Sequence, residues 1–209
     1  DYVDVFYSHR PDPETPLEET VSALASAVHS GKALYVGLSK YPLKKLKKAV
    51  RLLAEQGVRC PVYQPPYSIL NRWPEAKGIH DWLAEHGMGS VVFSPLAQGQ
   101  LTGKYLEGLP AGSRAARADG FLQADQVEAQ LNTIRALHQL ASEHGLPLHH
   151  LALRWVLDRP AVTSAIIGAR PVAQFDDSLA VLDVPPLDGE VLRRIDRIAP
   201  AVARKNPEG

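Results

Sequence analysis

The clearest chemistry in the sequence lies in a Gly- and Pro-rich stretch, SPLAQGQLTGKY at residues 94–105. It follows a short apolar run at 89–93, which is typical of a parallel strand covered on both faces. Such a loop offers backbone N–H groups to a phosphate, and Lys104 and Arg114 add positive charge. The pattern therefore predicts an anion-binding loop, although a Gly-rich loop alone is a weak signal and a surface excursion is the alternative.

Polar and charged residues follow several other apolar runs in the same way. These groups are Ser8-His9-Arg10, Ser39-Lys40, Gln64, Ser94 and Gly168-Ala169-Arg170. In both doubly wound sheets and barrels, ligands bind beyond the carboxyl ends of the parallel strands. No GxGxxG motif follows the first apolar run, so a Rossmann nucleotide site is not indicated and a barrel rim fits better.

Strand-like and helix-like segments alternate along the chain and would position these groups. Apolar residues recur at helical spacing, as at Val21, Leu24 and Val28, and glycines such as Gly31 follow the helices. The alternation with short turns predicts right-handed βαβ units and a parallel sheet in an α/β fold. The predicted strands are 2–7, 33–38, 62–64, 89–93 and 164–167, and the predicted helices are 17–29, 43–55, 75–86, 125–144, 147–157, 173–182 and 188–198.

Composition limits the class of function. The 209 residues are 45% hydrophobic and carry a formal net charge of +0, which gives no support for nucleic-acid or membrane-surface binding. The single cysteine, Cys60, rules out an internal disulfide and favours a reducing compartment, so we expect a cytoplasmic protein. Its position beside Pro61 at the start of an apolar run predicts a core cysteine and not a reactive thiol.

Several longer motifs occur in a specific order and spacing: DYVDVFYSHRPD, GKALYVGLSKY, YQPPYSILNR, FSPLAQGQLTGKY, GLPAGSR and IIGARPVAQFDDSLAVL. In these motifs the chain resembles the aldo-keto reductase family, from its first residues to about Pro200. The most similar branch resembles bacterial glyceraldehyde-3-phosphate reductases and potassium-channel beta subunits. The resemblance implies a TIM (β/α)8 barrel, NADPH as cofactor, and reduction of a small-molecule aldehyde or ketone to an alcohol.

The five predicted strands match the fourth to the eighth strands of the family, and the first three have no counterpart. We therefore expect residues 1–200 to be the C-terminal portion of a reductase barrel and residues 201–209 to be its tail. The family carries the Asp, Tyr and Lys of its catalytic tetrad on the strands without a counterpart. An open barrel would also expose apolar surface and the free edges of its terminal strands.

His9 matches the fourth member of the tetrad, which orients the substrate carbonyl beside the proton donor. The alternative is a histidine that caps the strand and is satisfied by its neighbours. The channel-subunit branch can carry Asn at this position, so the histidine favours an enzyme.

The resemblance also implies cofactor contacts. Ser39 and Gln64 would hold the nicotinamide carboxamide, Lys40 matches the same region, and Phe93 would stack on the nicotinamide ring. The backbone of the following loop would wrap the pyrophosphate, with Lys104 and Arg114 supplying charge. The residues of that loop are Ser94, Pro95, Leu96, Ala97 and Gln98.

A second group of residues matches the adenosine end of the family site, namely Gly168, Arg170, Gln174, Asp177 and Ser178. Arg170 lies next to a predicted helix N-terminus and would bind the 2′-phosphate that distinguishes NADPH from NADH. Asp177 stands where Glu is commoner and could accept a hydrogen bond from the adenine amino group. Ser178 replaces the usual Asn, which puts that contact in doubt.

Other functions stay open as alternatives. One is a cofactor-sensing regulatory module like the channel beta subunits, and another is an inactive fragment of the reductase. A metal-dependent barrel hydrolase is disfavoured, because the adjacent His149 and His150 are expected to point to different sides of a helix, with no Cys, Asp or Glu to complete a metal site. We therefore expect no metal, while assembly into a homo-oligomer is allowed.

Overall fold

Five parallel strands form one sheet in the computed structural model, which describes residues 1–108 and 124–202. The strands are β1 (Val3–Ser8), β2 (Ala33–Ser39), β3 (Val62–Gln64), β4 (Gly89–Phe93) and β5 (Val162–Ile166). Each strand pairs in parallel with its neighbour in the chain, in the order β1-β2-β3-β4-β5. A sequential order without reversal is the topology of a barrel, whereas a doubly wound sheet reverses its order at a switch point. The prediction of parallel βαβ units in a barrel is confirmed.

Helices follow the strands, and most of them match the predicted spans. They are α1 (Leu17–His29), α2 (Leu43–Glu55), α3 (Trp73–Ala76), α4 (Ile79–Glu85), α5 (Ala124–Glu143), α6 (Leu148–Leu157), α7 (Val172–Leu179) and α8 (Gly189–Ile198). Short 3₁₀ segments cover Ala97–Thr102 and Ala180–Asp183. None of the described helices is long and apolar enough to cross a lipid bilayer.

The predicted single helix at 75–86 is wrong, because the structure has two short helices there. Gly78 separates α3 from α4 with a φ of 66°, in the left-handed region that glycine adopts without strain. Its N–H donates to the carbonyl of Glu75, so the first helix ends before the second begins. The apolar periodicity continues across this break, which is why the pattern predicted one helix.

The core lies between the sheet and the helices, in two main clusters. The first contains Val36 and Leu38 of β2 together with Leu24 of α1 and Leu46 of α2. Cys60 belongs to this cluster, and burial raises the pKa of its thiol to about 12, as expected of a core cysteine. The second cluster is built from α5, α6 and α8 around Trp155.

The start of the sheet exposes apolar side chains. On β1 and β2 these include Val3, Phe6 and Tyr35, which are each close to half exposed. Among the described strands, β1 pairs only with β2, so its other edge is free. The expectation of exposed apolar surface at the edge of the sheet is confirmed.

Tyr7 and Gly37 lie opposite each other in the β1–β2 register. The Tyr7 ring covers Gly37 so closely that a Cβ at that position would lie 2.3 Å from Tyr7 Cε1. Only glycine therefore permits this approach of the ring to the neighbouring strand.

A buried arginine ties α8 to the segment that follows β3, and we call its polar partners the Arg72 network. Arg72 is 6% exposed. Its guanidinium donates twice to Glu75, at 3.0 and 2.6 Å, and also to Asp196 Oδ1 at 2.7 Å and to the Ala199 carbonyl at 2.9 Å. The Tyr67 hydroxyl donates to Glu75 at 2.9 Å. The network therefore connects side chains more than 120 residues apart in sequence.

Two aromatic contacts extend the Arg72 network. The guanidinium lies 5.0 Å from the ring centroid of Trp155, and Tyr67 stacks on the same indole with 5.3 Å between ring centroids. His80 meets the edge of Tyr67 at 4.6 Å and is buried, and burial lowers its pKa to about 4. Arg72, Tyr67 and His80 are buried here, whereas Glu75 is partly exposed and Asp196 is exposed.

Candidate functional site

The predicted site residues of the first four strands lie at one edge of the sheet, the edge formed by the carboxyl ends. Ser39, Gln64 and Phe93 are the last residues of β2, β3 and β4. Lys40 directly follows β2, and His9 directly follows β1. Because all five strands are parallel, these ends share one rim.

Backbone conformation marks the same rim. In the described part of the chain, the non-glycine residues with positive φ are Lys40 (60°), Ser94 (55°), Ala97 (47°) and Gln98 (58°). All four are among the predicted site residues. Residues other than glycine rarely adopt this left-handed region of backbone conformation, and such conformations cluster at functional sites.

Gln64 is held from three sides. The Ser39 hydroxyl donates to its backbone carbonyl at 2.7 Å, and the Lys40 N–H donates to the same carbonyl at 3.3 Å. The Tyr7 phenol forms a hydrogen bond with the Gln64 side chain, while burial raises the pKa of that phenol. The amide of Gln64 is therefore oriented by the protein. Tyr7 was not among the predicted site residues, although it is the last residue but one of β1 and so lies close to the same rim.

Lys40 and Phe93 contact each other across the rim. The Lys40 ammonium lies 5.5 Å from the centroid of the Phe93 ring, which is a cation–π distance. Lys40 is 9% exposed, so its charge is held inside the rim and not in bulk solvent.

A cleft of about 470 Å³ opens between the ends of β4 and β5. Eight predicted residues line it: Ser94, Pro95, Leu96, Gln98, Lys104, Gly168, Arg170 and Gln174. Gly99, Thr102, Ile166, Ile167 and Ala169 also line it but were not named individually as cofactor contacts. These five belong to the same two motifs, so including every residue of each motif would have found them. The volume is typical of small-molecule sites.

Lys104 reaches into the cleft above Gly99. The Lys104 ammonium lies 4.9 Å from the centroid of the Tyr105 ring. Gly99 has a φ of 94°, and a Cβ there would lie 2.7 Å from Lys104 Nζ. The glycine therefore provides both the turn and the room for the ammonium. Arg114, the other predicted cation of this loop, lies outside the described residues.

Arg170 stands at the entrance to α7. Its side chain is exposed, and its backbone N–H donates to Gln174 Oε1 at 3.2 Å. This contact occupies the amide oxygen of Gln174 and leaves its NH₂ group as the donor for other partners. Ser178 is buried, and its hydroxyl donates to the Gln174 carbonyl at 2.9 Å.

Asp177 has different neighbours from those that were predicted, and it does not line the cleft. One carboxylate oxygen lies 2.7 Å from His149 Nε2, and the other lies 3.5 Å from His150 Nε2. The expectation that the two histidines point to different sides with no acid between them is wrong. They occupy the first turn of α6, where their rings meet edge to face with 4.5 Å between centroids.

His9 is exposed at the opposite end of the rim from the cleft. Among residues 1–108 and 124–202, its side chain makes no hydrogen bond or ion pair, so nothing there supports a histidine satisfied by its neighbours. The ends of β1 and β4 are three strand spacings apart, or roughly 14 Å. A ligand that touches both His9 and the cleft must therefore be elongated and lie along the rim.

Comparison with known proteins matches residues 1–200 to the aldo/keto reductase family. The chain is 44% identical over 201 residues to the L-glyceraldehyde 3-phosphate reductase of Escherichia coli K12, an alignment that covers 94% of this chain and 58% of the relative. It is 35% identical over 203 residues to a putative voltage-gated potassium channel subunit beta of Schizosaccharomyces pombe, covering 94% and 59%.

Solved structures include a similar fold. The crystal structure of a thermostable aldo-keto reductase with the inhibitor epalrestat superposes with a TM-score of 0.72 at 28% sequence identity. The match covers 95% of this chain and 60% of the other. The chain therefore spans about three fifths of the length of the relatives that it matches.

Proposed function

The chain belongs to the aldo/keto reductase family, and on that premise we propose that it forms the NADPH site and the substrate-orienting histidine of an oxidoreductase. The substrate is a small aldehyde or ketone, which is reduced to the alcohol. The observation that carries the proposal is the cleft at the ends of β4 and β5, with Lys104 and Arg170 in its lining and a left-handed backbone at Ser94 and Gln98.

The chemistry of the cleft suits a dinucleotide with phosphate groups. Lys104 and Arg170 supply positive charge, and neither forms an ion pair with another described residue. Leu96, Ile166 and Ile167 supply apolar surface beside them. Cations that have no acidic partner are available to a phosphate, and Arg binds phosphate through two parallel hydrogen bonds.

The order of the rim residues fits an elongated cofactor. Ser39 and Gln64 hold the nicotinamide carboxamide. The Lys40 ammonium lies over one face of the Phe93 ring, so the opposite face is the one that stacks on the nicotinamide. The loop at 94–98 takes the pyrophosphate. Arg170 takes the 2′-phosphate beside the N-terminus of α7, and Gln174 lies one turn further along that helix.

Ser178 and Asp177 were both predicted to contact the adenosine end of the cofactor, but their polar groups already have partners in the protein. The Ser178 hydroxyl is buried and already donates to Gln174, and the Asp177 carboxylate lies between two histidines. We leave both residues out of the proposed cofactor contacts.

When bound, NADPH supplies a hydride for the carbonyl carbon. His9 holds the carbonyl oxygen through a ring nitrogen and thereby orients the carbonyl for the reaction. Its exposure on the rim and its lack of protein partners among the described residues support this role. The proton donor is not assigned to any residue of this chain.

A regulatory module is the second candidate, since one relative is named as a potassium channel subunit beta. Such a module would have the same cofactor site as the proposed reductase but would differ from it in the rate at which it turns over substrate. The histidine at position 9 favours the enzyme, as does the higher identity to a named reductase.

Cofactor preference tests the proposal. Binding of NADPH and of NADH to the full-length protein is measured by fluorescence quenching, for the parent, Arg170→Ala and the control Arg193→Ala, whose side chain is exposed on α8 and paired with Glu190. A charge-assisted contact is worth about 1.5–3 kcal/mol, so Arg170→Ala should weaken NADPH about tenfold or more and leave NADH nearly unchanged. Equal losses for both cofactors contradict the 2′-phosphate role, and no NADPH binding by the parent contradicts the function.

A further inference from the structure

We propose that His149, His150 and Asp177 form a binding site for a divalent transition-metal ion such as Zn²⁺, where α6 meets α7. One ring nitrogen of each histidine and one carboxylate oxygen all lie within 4.8 Å of one another. Two imidazoles and a carboxylate are a common ligand set for zinc. The site is separate from the cleft, since none of the three residues lines it.

The local fold explains how two adjacent histidines come to face one acid. Pro147 precedes α6 in an extended conformation, and both histidines lie in the first turn of that helix. Their rings are 70° apart in plane and touch edge to face. Asp177 reaches them from α7, so an ion bound here would link the two helices.

His149 supplies the best-placed ligand atom. Its Nε2 is buried and lies 2.7 Å from Asp177 Oδ2, but the contact lacks the alignment of a hydrogen bond, and no other described residue bonds this nitrogen. A cation bound here would replace this direct contact and would be held by the ring nitrogen and the carboxylate together.

His150 is oriented by its own contact. Its Nε2 lies 2.7 Å from the Asp177 carbonyl oxygen, a contact that holds the ring against α7. An ion would bind one ring nitrogen of His150, and where that nitrogen is Nε2 the ion would replace this hydrogen bond. Contacts of this kind between a ring nitrogen and a carbonyl also orient histidines at known metal sites.

The donor set selects the class of ion. Imidazole nitrogen suits Zn²⁺, Co²⁺, Ni²⁺ and Cu²⁺, whereas Mg²⁺ and Ca²⁺ favour all-oxygen sites. Asp177 is about half exposed, so its side of the site is open and water can complete the coordination of the ion. The proposal is therefore an open transition-metal site of three protein ligands.

Calorimetric titration with Zn²⁺ tests the site directly, using the metal-free full-length protein. The parent should bind one Zn²⁺ at this site, and both His149→Gln and Asp177→Asn should weaken it at least about tenfold. His138→Gln is the matched control, because His138 is exposed on α5 and lies outside the cluster, and it should bind as the parent does. Circular dichroism checks that each variant is folded.

Substitution of Co²⁺ for Zn²⁺ adds a second readout. Intense visible absorption from a four-coordinate Co²⁺ ion should appear in the parent and be lost in Asp177→Asn. Absence of Zn²⁺ binding by the parent, or equal affinity in the parent and His149→Gln, overturns the proposal. NADPH takes no part in either measurement, so the outcome is independent of the proposed reductase function.

Discussion

The Arg72 network and the rim of the sheet both carry cations, but the cations face different partners. Arg72 is buried and meets Glu75, Asp196 and a backbone carbonyl. Lys104 and Arg170 line a cleft and form no ion pair with another described residue. A cation whose partners belong to the protein holds elements together, whereas a cation without them is available to a ligand.

Backbone conformation separates the two regions in the same way. Within the described chain, the left-handed non-glycine residues all lie on the rim, and Arg72 and Glu75 have none of these strained angles. Strain of this kind costs free energy that the surrounding fold must supply. We therefore expect substitutions in the network to change stability, and substitutions on the rim to change binding or turnover.

The largest expected effect is on stability, from Arg72→Ala. The substitution removes a buried guanidinium and its four hydrogen bonds, and it leaves Glu75 without its ion-pair partner, which should lower the free energy of unfolding by about 3 kcal/mol. Urea unfolding measures the change. Arg51→Ala is the control, because Arg51 and Glu55 are both exposed, and it should cost less than about 1 kcal/mol. Similar losses in both variants would contradict a structural role for the network.

The second prediction concerns pH and His80. The folded protein protonates this buried histidine at about pH 4, whereas the unfolded chain does so near its ordinary pKa of 6.5. As the pH falls from 7 towards 4, the unfolded state takes up a proton that the folded state excludes, so stability falls by up to about 3 kcal/mol.

Replacing His80 by Phe should remove most of that pH dependence. The free energy of unfolding, measured in urea at pH 7, 5.5 and 4.5, should fall less steeply in His80→Phe than in the parent. His144→Gln serves as the control at an exposed position and should keep the parental slope. Parallel slopes in the parent and His80→Phe would mean that His80 titrates as an ordinary exposed histidine.

His9, on the rim, should affect turnover and not stability. His9→Ala should lower kcat for small aldehydes by roughly 10²-fold in the full-length protein, the usual scale for one positioned polar group. Cofactor affinity and thermal stability should barely change, because His9 is exposed and far from the cleft. Steady-state kinetics and thermal unfolding test this together. A large loss of stability with unchanged kcat would place His9 with the structural residues.

The smallest expected effect distinguishes two glycines. Gly99→Ala and Gly57→Ala both place a side chain at positive φ, which should cost about 1 kcal/mol in each case. Only at Gly99 does the new Cβ meet the Lys104 ammonium, whereas nothing lies within 4 Å at Gly57. NADPH binding, measured by fluorescence quenching, should therefore weaken in Gly99→Ala alone. Equal affinities would show that the position of Lys104 does not affect the cofactor.

Much of the fold follows from short-range patterns. The parallel strands and most helices matched because apolar periodicity and terminal glycines report on burial along one element. The break at Gly78 was missed because the apolar spacing runs through it, and a glycine in a helical pattern does not show its φ. Periodicity records which residues face the core and not whether the backbone is continuous.

The site was predictable where its residues share a motif and unpredictable where they meet across elements. Ser94, Lys104 and Arg170 lie in motifs that follow strands, and the cleft brings them together as their positions predicted, while their binding roles stay predictions. The meeting of Asp177 with His149 could not be predicted, since it depends on how α7 packs on α6. Nor could the Tyr7 contact with Gln64, which depends on the register of neighbouring strands.

The close approach of Tyr7 to Gly37 has a consequence for how this sequence can change over evolutionary time. A side chain at position 37 is blocked while the tyrosine ring is present, since the new Cβ would lie 2.3 Å from Cε1. A smaller residue at position 7, by contrast, can arise first, at the cost of a cavity. A change at Gly37 that comes first must displace the tyrosine ring, so we expect the change at Tyr7 to precede the change at Gly37 along most paths of single substitutions.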